Sequence, residues 1–371
     1  MLSIFLTIFI IALSIQILYY IIVFSRFLIE RQYEIHTNTN TKGVSIVVCA
    51  WNEFDNLTDL LPILDYQKYP DYEVIIVDDR STDGSGEFLK HELLNYPNFK
   101  LITISDTPEH LASKKYALSL GIKVASKDVI LLTDADCKPT SDQWITGMVN
   151  KLGFDKQIVL GFSPYLEEPG FLNSFIRFET FFTAWQYFSY ALLGIPYMGV
   201  GRNLMYRRKL FFDKLGFRNH QKITGGDDDL FINENSNSNN TAICFHPDTY
   251  TYSAAKKTFS EWFIQKKRHL YIGRRYKNRD KILLGIYSVT HILIWIMLPI
   301  LFFVSKKLLI LLGSIFLFRL LIVWIFGAVA NHKLGSTLRW YALPMFDGLM
   351  ALYFGVMGWF SIINVKKVRW R

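Results

Sequence analysis

The sequence predicts an α/β chain: a mostly parallel, doubly wound sheet flanked by helices, joined to helices long enough to cross a membrane. Three observations predict it. Apolar, β-branched runs alternate with segments of helical spacing from residue 44 to 133, the pattern of parallel strands linked by crossover helices. Acidic or polar residues close those runs, where open parallel sheets hold their ligands. The hydrophobic content, 51%, exceeds the ~45–50% of a soluble domain. The excess lies at the N-terminus and in the last quarter, and residues 30–280 read as ordinary soluble sequence.

In chain order, residues 3–25 carry no charge before Arg26, and about 20 apolar helical residues span a bilayer core. No basic stretch precedes this run and no A-x-A site follows it, so an anchor is expected rather than a cleaved signal peptide. Arg26 and Arg31 behind it orient it N-out, C-in. Val44–Cys49 reads as a strand buried on both faces. Residues 55–66 place Leu57, Leu60, Leu61 and Leu64 on one helical face. Glu73–Val77 is a second strand, ended by Asp78-Asp79, and a helix follows near 84–94, opened by Asp83 and Gly84. Lys100–Ile104 is a third strand, 112–124 a helix, and Val129–Thr133 a fourth strand ended again by acids. No GxGxxG follows the first strand, which argues against a nicotinamide dehydrogenase.

Residues 171–200 are rich in aromatics, among them Phe175, Phe178, Phe182, Trp185 and Tyr190, and are bracketed by Pro164, Pro169 and Pro196. They are expected to lie on the membrane surface, with core packing the weaker alternative. Three more apolar runs follow at about 282–304, 308–329 and 341–364. Arg319 and Asp347 interrupt the last two. A charge at membrane depth is costly, so each is expected to face a helix or a polar cavity, and a structural charge satisfied mutually or by backbone is favoured over a lipid or glycan path. Three crossings would leave the basic tail outside. Pro344, Asp347 and Gly348 therefore make the last segment the candidate for a broken or shallow entry.

The net charge is +9, yet the basic residues do not form a nucleic-acid stripe. Lys266, Lys267, Arg268, Arg274, Arg275, Lys277 and Arg279 precede an apolar run, and Lys366, Lys367, Arg369 and Arg371 follow one. Cytoplasmic membrane flanks look like this, and an anionic diphosphate substrate accounts for some of the charge. Three separated cysteines, Cys49, Cys137 and Cys244, form no CxxC pair and no disulfide framework.

Four motifs carry chemistry. Asp134-Ala135-Asp136 ends a strand, and residues two apart share a face. Two converging carboxylates suit Mg²⁺ or Mn²⁺ bridging to substrate phosphates, although a solvated acidic turn would look the same in isolation. In residues 77–85 (VDDRSTDGS) Asp79 is placed to accept hydrogen bonds from a nucleobase or ribose, while Asp83 reads as a helix cap. Gly225-Gly226-Asp227-Asp228-Asp229 offers a general base at a helix start. Gln265 and Arg268 share a helix face, where the arginine can clamp a diphosphate; a basic helix on the membrane surface is the alternative.

These motifs, in this order over residues 44–270, resemble the family-2 inverting glycosyltransferases with a GT-A fold. The A-x-N-E of that family matches Ala50 to Glu53, its D-D-x-S-x-D-G-[ST] matches Asp78 to Ser85, and its basic residue before A-L matches Lys114. Its D-x-D matches Asp134 and Asp136, and its G-x-N acceptor loop resembles Gly201 to Asn203. Its E-D-x-D-L matches Asp227, Asp229 and Leu230, with Gly226 where Glu is usual. Its Q-x-x-R-W resembles Gln265 and Arg268, with His269 replacing Trp. That last departure weighs against a processive polysaccharide synthase. His246 is left as a structural residue.

The resemblance implies an integral membrane enzyme of the cell (inner) membrane with a cytoplasmic catalytic domain. A sugar would pass from a nucleotide-sugar, UDP-linked by expectation, to a lipid-linked or glycan acceptor of the cell envelope. Asp227 would be the base. Glu53, Asp79, Lys114, Asp134, Gln265 and Arg268 would bind the donor, Gly201, Asn203 and Asp228 the acceptor, and Asp134 with Asp136 the Mg²⁺ or Mn²⁺. The expected division is a membrane helix at 1–28, a GT-A domain at 40–256, an interfacial helix at 257–281 and a membrane region at 282–371 with two to three crossings. The lipid bilayer is the remaining partner, and no nucleic acid is expected. Rival readings are a nucleotidyl- or glycophospho-transferase on the same kind of sheet, disfavoured by the late motifs, and a non-catalytic scaffold for glycan synthesis or export, disfavoured by the retained acids.

Overall fold

The computed structural model describes residues 2–36, 42–304 and 309–362. Helix α1 (Leu2–Leu18) runs through a π-helical stretch into α2 (Ser25–Ile29). Then follow β1 (Val44–Ala50), α3 (Phe54–Asp65), β2 (Tyr72–Asp79), α4 (Ser85–Glu92), β3 (Phe99–Ile104), α5 (Ser113–Val124) and β4 (Val129–Asp134). The middle of the chain forms β5 (Lys138–Pro139), α6 (Trp144–Leu152), β6 (Ile158–Leu160), α7 (Phe171–Leu192), β7 (Leu204–Arg207), α8 (Arg208–Asp213), α9 (Asp229–Asn235), β8 (Thr241–Ile243) and β9 (Thr251–Tyr252). Helices α10 (Phe259–Gly273), α11 (Asn278–Val304), α12 (Leu309–Lys333) and α13 (Leu343–Ile362) complete it. The basic tail at 366–371 and residue 40, the expected start of the catalytic domain, lie outside the described residues.

Two compact units emerge. The sheet unit takes residues from 32 to 166 and from 194 to 255. The helical unit takes the N-terminal helix, residues 167–193 and, among the described residues, 256–304 and 309–362. A continuous catalytic domain over 40–256 is thus corrected: residues 167–193, in its middle, belong to the helical unit.

In the sheet unit seven strands run in the order β3-β2-β1-β4-β7-β6-β8. The first four are parallel, and β7 is antiparallel to both β4 and β6. Each of β1, β2 and β4 is buried along nearly its whole length, as strands covered on both faces must be. On one face Leu57, Leu60, Leu61 and Leu64 of α3 join the core of Val44, Ile46, Val48, Val74 and Ile76. On the other, α5 approaches so closely that a Cβ on Gly121 would lie 2.5 Å from Val47 Cγ1. The register pairs Ala50 with Asp78 and Cys49 with Asp134. The loops after β1, β2 and β4 therefore leave the sheet side by side at its carboxyl edge.

Among the described residues, the helical unit contains four helical stretches long and apolar enough to cross a membrane: Ile4–Ile29, Asn278–Leu301, Ile310–Lys333 and Trp340–Phe360. Two charges buried inside them pair with each other. Arg319 has no exposed surface and forks onto Asp347, with Nη2 at 3.0 Å from Oδ1 and Nη1 on Oδ2. Trp295 Nε1 donates to Asp347 (3.2 Å), and Gln16 Nε2 donates to the Tyr287 carbonyl and to Thr290, each at 2.9 Å. Of the two arrangements expected to satisfy the intramembrane charges, mutual pairing is what the helices build. Asp347 and Gly348 do not break α13, and Pro344 falls in its first turn, where a missing N–H leaves no bond unmade.

The surface placement expected for residues 171–200 is corrected. Phe175, Phe178, Phe181, Phe182, Trp185, Tyr187, Phe188 and Tyr190 are all buried within the helical unit. Trp185 Nε1 donates to the Phe24 carbonyl at 3.1 Å, and Phe178 stacks on Phe346 with ring centroids 4.9 Å apart. Aromatic residues all round a helix mark burial rather than a surface. Lys266, grouped above with the charged membrane flank, is instead buried and paired with Glu179.

Candidate active site

The site grows out of three loops at the carboxyl edge of the sheet. Two of them are laced together by side chains acting as caps. Asn52, in the left-handed region at φ 56°, donates its backbone N–H to Ser81 Oγ (2.9 Å) and accepts from the Thr82 N–H through Oδ1 (2.7 Å). Glu53 N–H donates to Ser85 Oγ (3.2 Å), and Phe54 N–H to Asp83 Oδ2 (3.1 Å). Asp83 Oδ1 accepts from the Ser85 N–H (3.0 Å). It therefore caps α4, and at the same time closes an otherwise open donor at the start of α3. The Glu53 carboxylate accepts from Asn56 Nδ2 at 2.6 Å.

At the end of β2 Asp78 and Asp79 are both buried. Asp78 Oδ1 accepts from the Ser81 N–H (3.2 Å) and shapes the turn. Asp79 Oδ1 accepts from Arg80 Nε at 2.9 Å, and Arg80 Nη2 donates to Ser113 Oγ at 3.1 Å. Arg80 itself has φ 61°. A non-glycine residue there is strained by ~1–2 kcal/mol, and such residues cluster at functional sites.

Lys114, the second residue of α5, brings the reaction centre together. Its ammonium lies 2.7 Å from Asp134 Oδ1 and 3.5 Å from Asp227 Oδ2. Burial disfavours the charged lysine, but Asp134 and Asp227 outweigh it and hold its pKa well above the usual lysine value. Beneath them burial pushes the Cys49 thiol up.

Asp228 follows the candidate base but turns inward. Its Oδ2 accepts from the Gly201 N–H and its Oδ1 from the Asp229 N–H, each at 2.7 Å. It caps α9 and fixes the Gly201 turn. Burial first, then the neighbouring Asp227, raises its pKa to about 6.

Asp134, Asp136 and Cys137 offer ligand atoms within 4.8 Å of one another. The two carboxylates fit a hard divalent cation. Cys137 does not: burial, then Asp136, keeps its pKa well above the usual thiol value. Its Sγ instead lies 3.3 Å from Asp136 Oδ1 as a donor.

Of the expected site residues, Asp79, Lys114, Asp134 and Asp227 gather around the carboxyl edge, and Glu53 lies on the loop beside them. Asn203 is corrected from acceptor contact to framework. It has no exposed surface. Its Oδ1 accepts from Trp144 Nε1 (3.0 Å), and its Nδ2 donates to the Phe162 and Thr249 carbonyls (2.8 and 2.7 Å). Gly201 and Asp228 are likewise engaged with each other. Gln265 and Arg268 lie on α10 in the helical unit, three residues apart and half-buried. His246 Nδ1 accepts from the Asp248 N–H at 3.3 Å, a local turn in keeping with a structural residue.

Two arginines escaped the sequence reading. Arg80 occupies the variable position of D-D-x-S, and its only signal was a basic residue beside two acids. Arg202, inside the G-x-N loop, donates to Ser253 Oγ (2.7 Å) and to the Ser163 carbonyl (2.9 Å). It packs over the Tyr165 ring at 4.3 Å and feels Asp136 and Asp134.

The family model described as "Glycosyl transferase family 2" matches residues 45–213. The chain is 25% identical over 186 residues to the glycosyltransferase AglE of Haloferax volcanii, covering 50% of this chain and 58% of that protein. It is 32% identical over 95 residues to a poly-beta-1,6-N-acetyl-D-glucosamine synthase of Staphylococcus epidermidis, covering 26% of this chain and 22% of that one. The chain thus spans between a fifth and three-fifths of these two relatives. Among solved structures, the mannosyltransferase PcManGT from Pyrobaculum calidifontis, in complex with GDP-Man and Mn2+, superposes with a TM-score of 0.65. That likeness covers 98% of this chain and 99% of that one at 15% identity, and at such identity it speaks for the fold.

Proposed function

We propose that residues 45–213, which match the model described as glycosyl transferase family 2, are the catalytic part of an enzyme that transfers a sugar, with inversion, from a nucleotide-sugar to an acceptor hydroxyl. The observation that carries this reading is the convergence of Asp134 and Asp227 on the single ammonium of Lys114. It sets the residue that ends the donor-binding strand next to a carboxylate able to take a proton.

In the proposed reaction the acceptor oxygen attacks the anomeric carbon as the bond to the diphosphate oxygen breaks. Asp227 Oδ takes the hydroxyl proton, and the nucleoside diphosphate leaves with the bonding electron pair. Lys114 holds Asp227 and Asp134 in register. Asp79, with Glu53 on the neighbouring loop, faces the nucleoside, and Asp134 and Asp136 would hold Mg²⁺ or Mn²⁺. That cation would supply charge neutralisation of the departing diphosphate. Gln265 and Arg268 are proposed to add a diphosphate contact.

Four helices of membrane-crossing length favour an acceptor presented at a membrane, lipid-linked or belonging to a cell-envelope glycan, with the catalytic unit on the cytoplasmic side of the cell membrane. UDP and GDP sugars are the donors to test first. The neighbouring mannosyltransferase was solved with GDP-Man and Mn2+, so guanosine donors stand beside the uridine ones expected from sequence.

The experiment is a panel of nucleotide-sugars offered to the full chain in nanodiscs with Mg²⁺ or Mn²⁺, reading release of nucleoside diphosphate. At least one donor should be turned over, and Asp227→Asn should slow transfer by ~10²–10⁴-fold. Wild-type turnover in a folded Asp227→Asn variant removes that residue from the chemistry. No turnover of any donor, with a folded protein, favours the scaffold reading.

A further inference from the structure

Lys114 has a neighbour that the proposed chemistry leaves unused. Lys115 is 2% exposed, and a buried lysine persists only where its ammonium is hydrogen-bonded. Its Nζ donates to the His220 carbonyl at 2.8 Å and to the Ile223 carbonyl at 2.9 Å. The Ala112 N–H, a donor at the start of α5 with no partner inside the helix, reaches the Gln221 carbonyl at 2.9 Å. The first turn of α5 thus gathers carbonyls from one short segment, residues 217–224, which joins α8 to α9.

Left-handed pairs bound that segment on both sides. Leu215 and Gly216 have φ 60° and 58°, and Gly225 and Gly226 have φ 80° and 73°. Phe217 packs on Phe211 and Phe231, with ring centroids 5.1 and 6.0 Å away. The His220 ring is buried, yet among the described residues neither of its nitrogens makes a hydrogen bond. Asn219 Nδ2 adds a surface bond to Glu234 at 3.2 Å. Asp227 follows the glycine pair directly, four residues beyond Ile223. Two glycines are too permissive to fix its place by themselves, so the seat of the segment decides where the carboxylate falls.

Resting on the proposed transferase reading, we infer that Lys115 is a positioning residue for Asp227. Lys114 meets the carboxylate, and Lys115 fixes the backbone that delivers it. The two lysines are successive residues of one helical turn, so one rigid element sets both the side chain and the main chain of the base relative to Asp134. Hydrogen bonds from a charged donor are shorter and stronger than neutral ones, and two of them to carbonyls of the same segment define a place as well as an energy. Lys115 needs no contact with donor or acceptor, and its loss is felt through the base.

The test is a kinetic cycle on the full chain in nanodiscs with UDP and GDP sugars and Mn²⁺, reading release of nucleoside diphosphate. Lys115→Met keeps the length of the side chain and loses the ammonium. It should lower kcat by about 10–10²-fold, the scale of a slightly misplaced reacting group, while the donor KM stays within about threefold of wild type. Added to Asp227→Asn, the same change should cost less than about twofold, because residues that act as a unit are not additive. A lysine that only supports the fold would slow both backgrounds alike. Lys115→Gln, whose shorter amide reaches at most one of the two carbonyls, serves if the methionine variant fails to fold; its kcat should fall by at least about threefold, again without effect in the Asp227→Asn background. A folded Lys115→Met with the kcat of wild type, or an equal loss in both backgrounds, overturns the inference and leaves the transferase reading intact. An Asp227→Asn variant as fast as wild type removes the base and this inference with it. A wild-type chain that turns over none of the sugars overturns the transferase reading as well.

Discussion

A lysine set between two carboxylates, as Lys114 is between Asp134 and Asp227, lowers the cost of bringing both anions to one place. Without a cation between them, two neighbouring carboxylates repel and move apart. A displaced Asp227 or Asp134 could no longer hold the place the proposed reaction needs. Lys114→Met should therefore lower kcat/KM by ~10²-fold, the scale seen when one preorganised charged or hydrogen-bonding group is removed. The far-ultraviolet circular dichroism should stay unchanged. Steady-state release of nucleoside diphosphate measures the loss; a variant within threefold of wild type would leave Lys114 a bystander. The sequence offered Lys114 only through its place in a motif, and its bridging role depends on the turn of α5 meeting the loop of Asp227, more than a hundred residues later.

At the scale of elements, the parallel strands and their crossover helices were legible because each carries a local signal. Unbroken β-branched runs mark β1, β2 and β4, and leucines at helical spacing mark α3. What escaped was decided by partners distant in sequence. Asn203 looked like an acceptor contact, and only the arrival of Trp144, Phe162 and Thr249 around its amide makes it framework. The aromatics of α7 looked like a surface stripe, and the surrounding helices turn them into core. Glu73 is another such case. It accepts from Ser45 Oγ, from the Ser126 N–H and from Ser126 Oγ, and pairs with Lys100 at 2.6 Å, so it ties β1, β2 and β3 to the turn before β4. Burial alone would raise its pKa; Lys100 and the serine hydrogen bonds outweigh it and hold it at about 2 against an ordinary 4.5. A depressed carboxylate stabilises the fold above its unfolded pKa and loses that contribution as pH falls. Stability from Glu73 should thus be complete at pH 6 and decline between pH ~4.5 and ~2. Glu73→Gln should cost about 1–3 kcal/mol at pH 7 and flatten that decline. Urea unfolding across pH is the measurement, and an identical slope in wild type and variant would show that other carboxylates set the acid limb.

For the molecule as a whole, the chain combines a sheet unit with a helical unit whose helices are long and apolar enough to cross a membrane, and each solves the problem of charge differently. The sheet unit concentrates acids at one edge and answers them with Lys114, Arg80 and Arg202. The helical unit buries Arg319 and Asp347 and pairs them within the bundle. Gln16 of α1, His291 and Trp295 of α11, Arg319 of α12 and Asp347 of α13 form one network across four helices. A paired charge in such surroundings contributes little net stability, whereas an orphaned one is heavily destabilising, because removing one partner leaves the other buried and uncompensated. Arg319→Leu alone, or Asp347→Leu alone, should therefore destabilise the helical unit by ~3–5 kcal/mol. The double variant should recover most of that loss, so the two changes would be strongly non-additive. Thermal unfolding in nanodiscs, followed by tryptophan fluorescence with Trp295 beside the pair, reads the cycle. Additive losses would mean that the two side chains act separately, and that the fork between them does not set how these helices align.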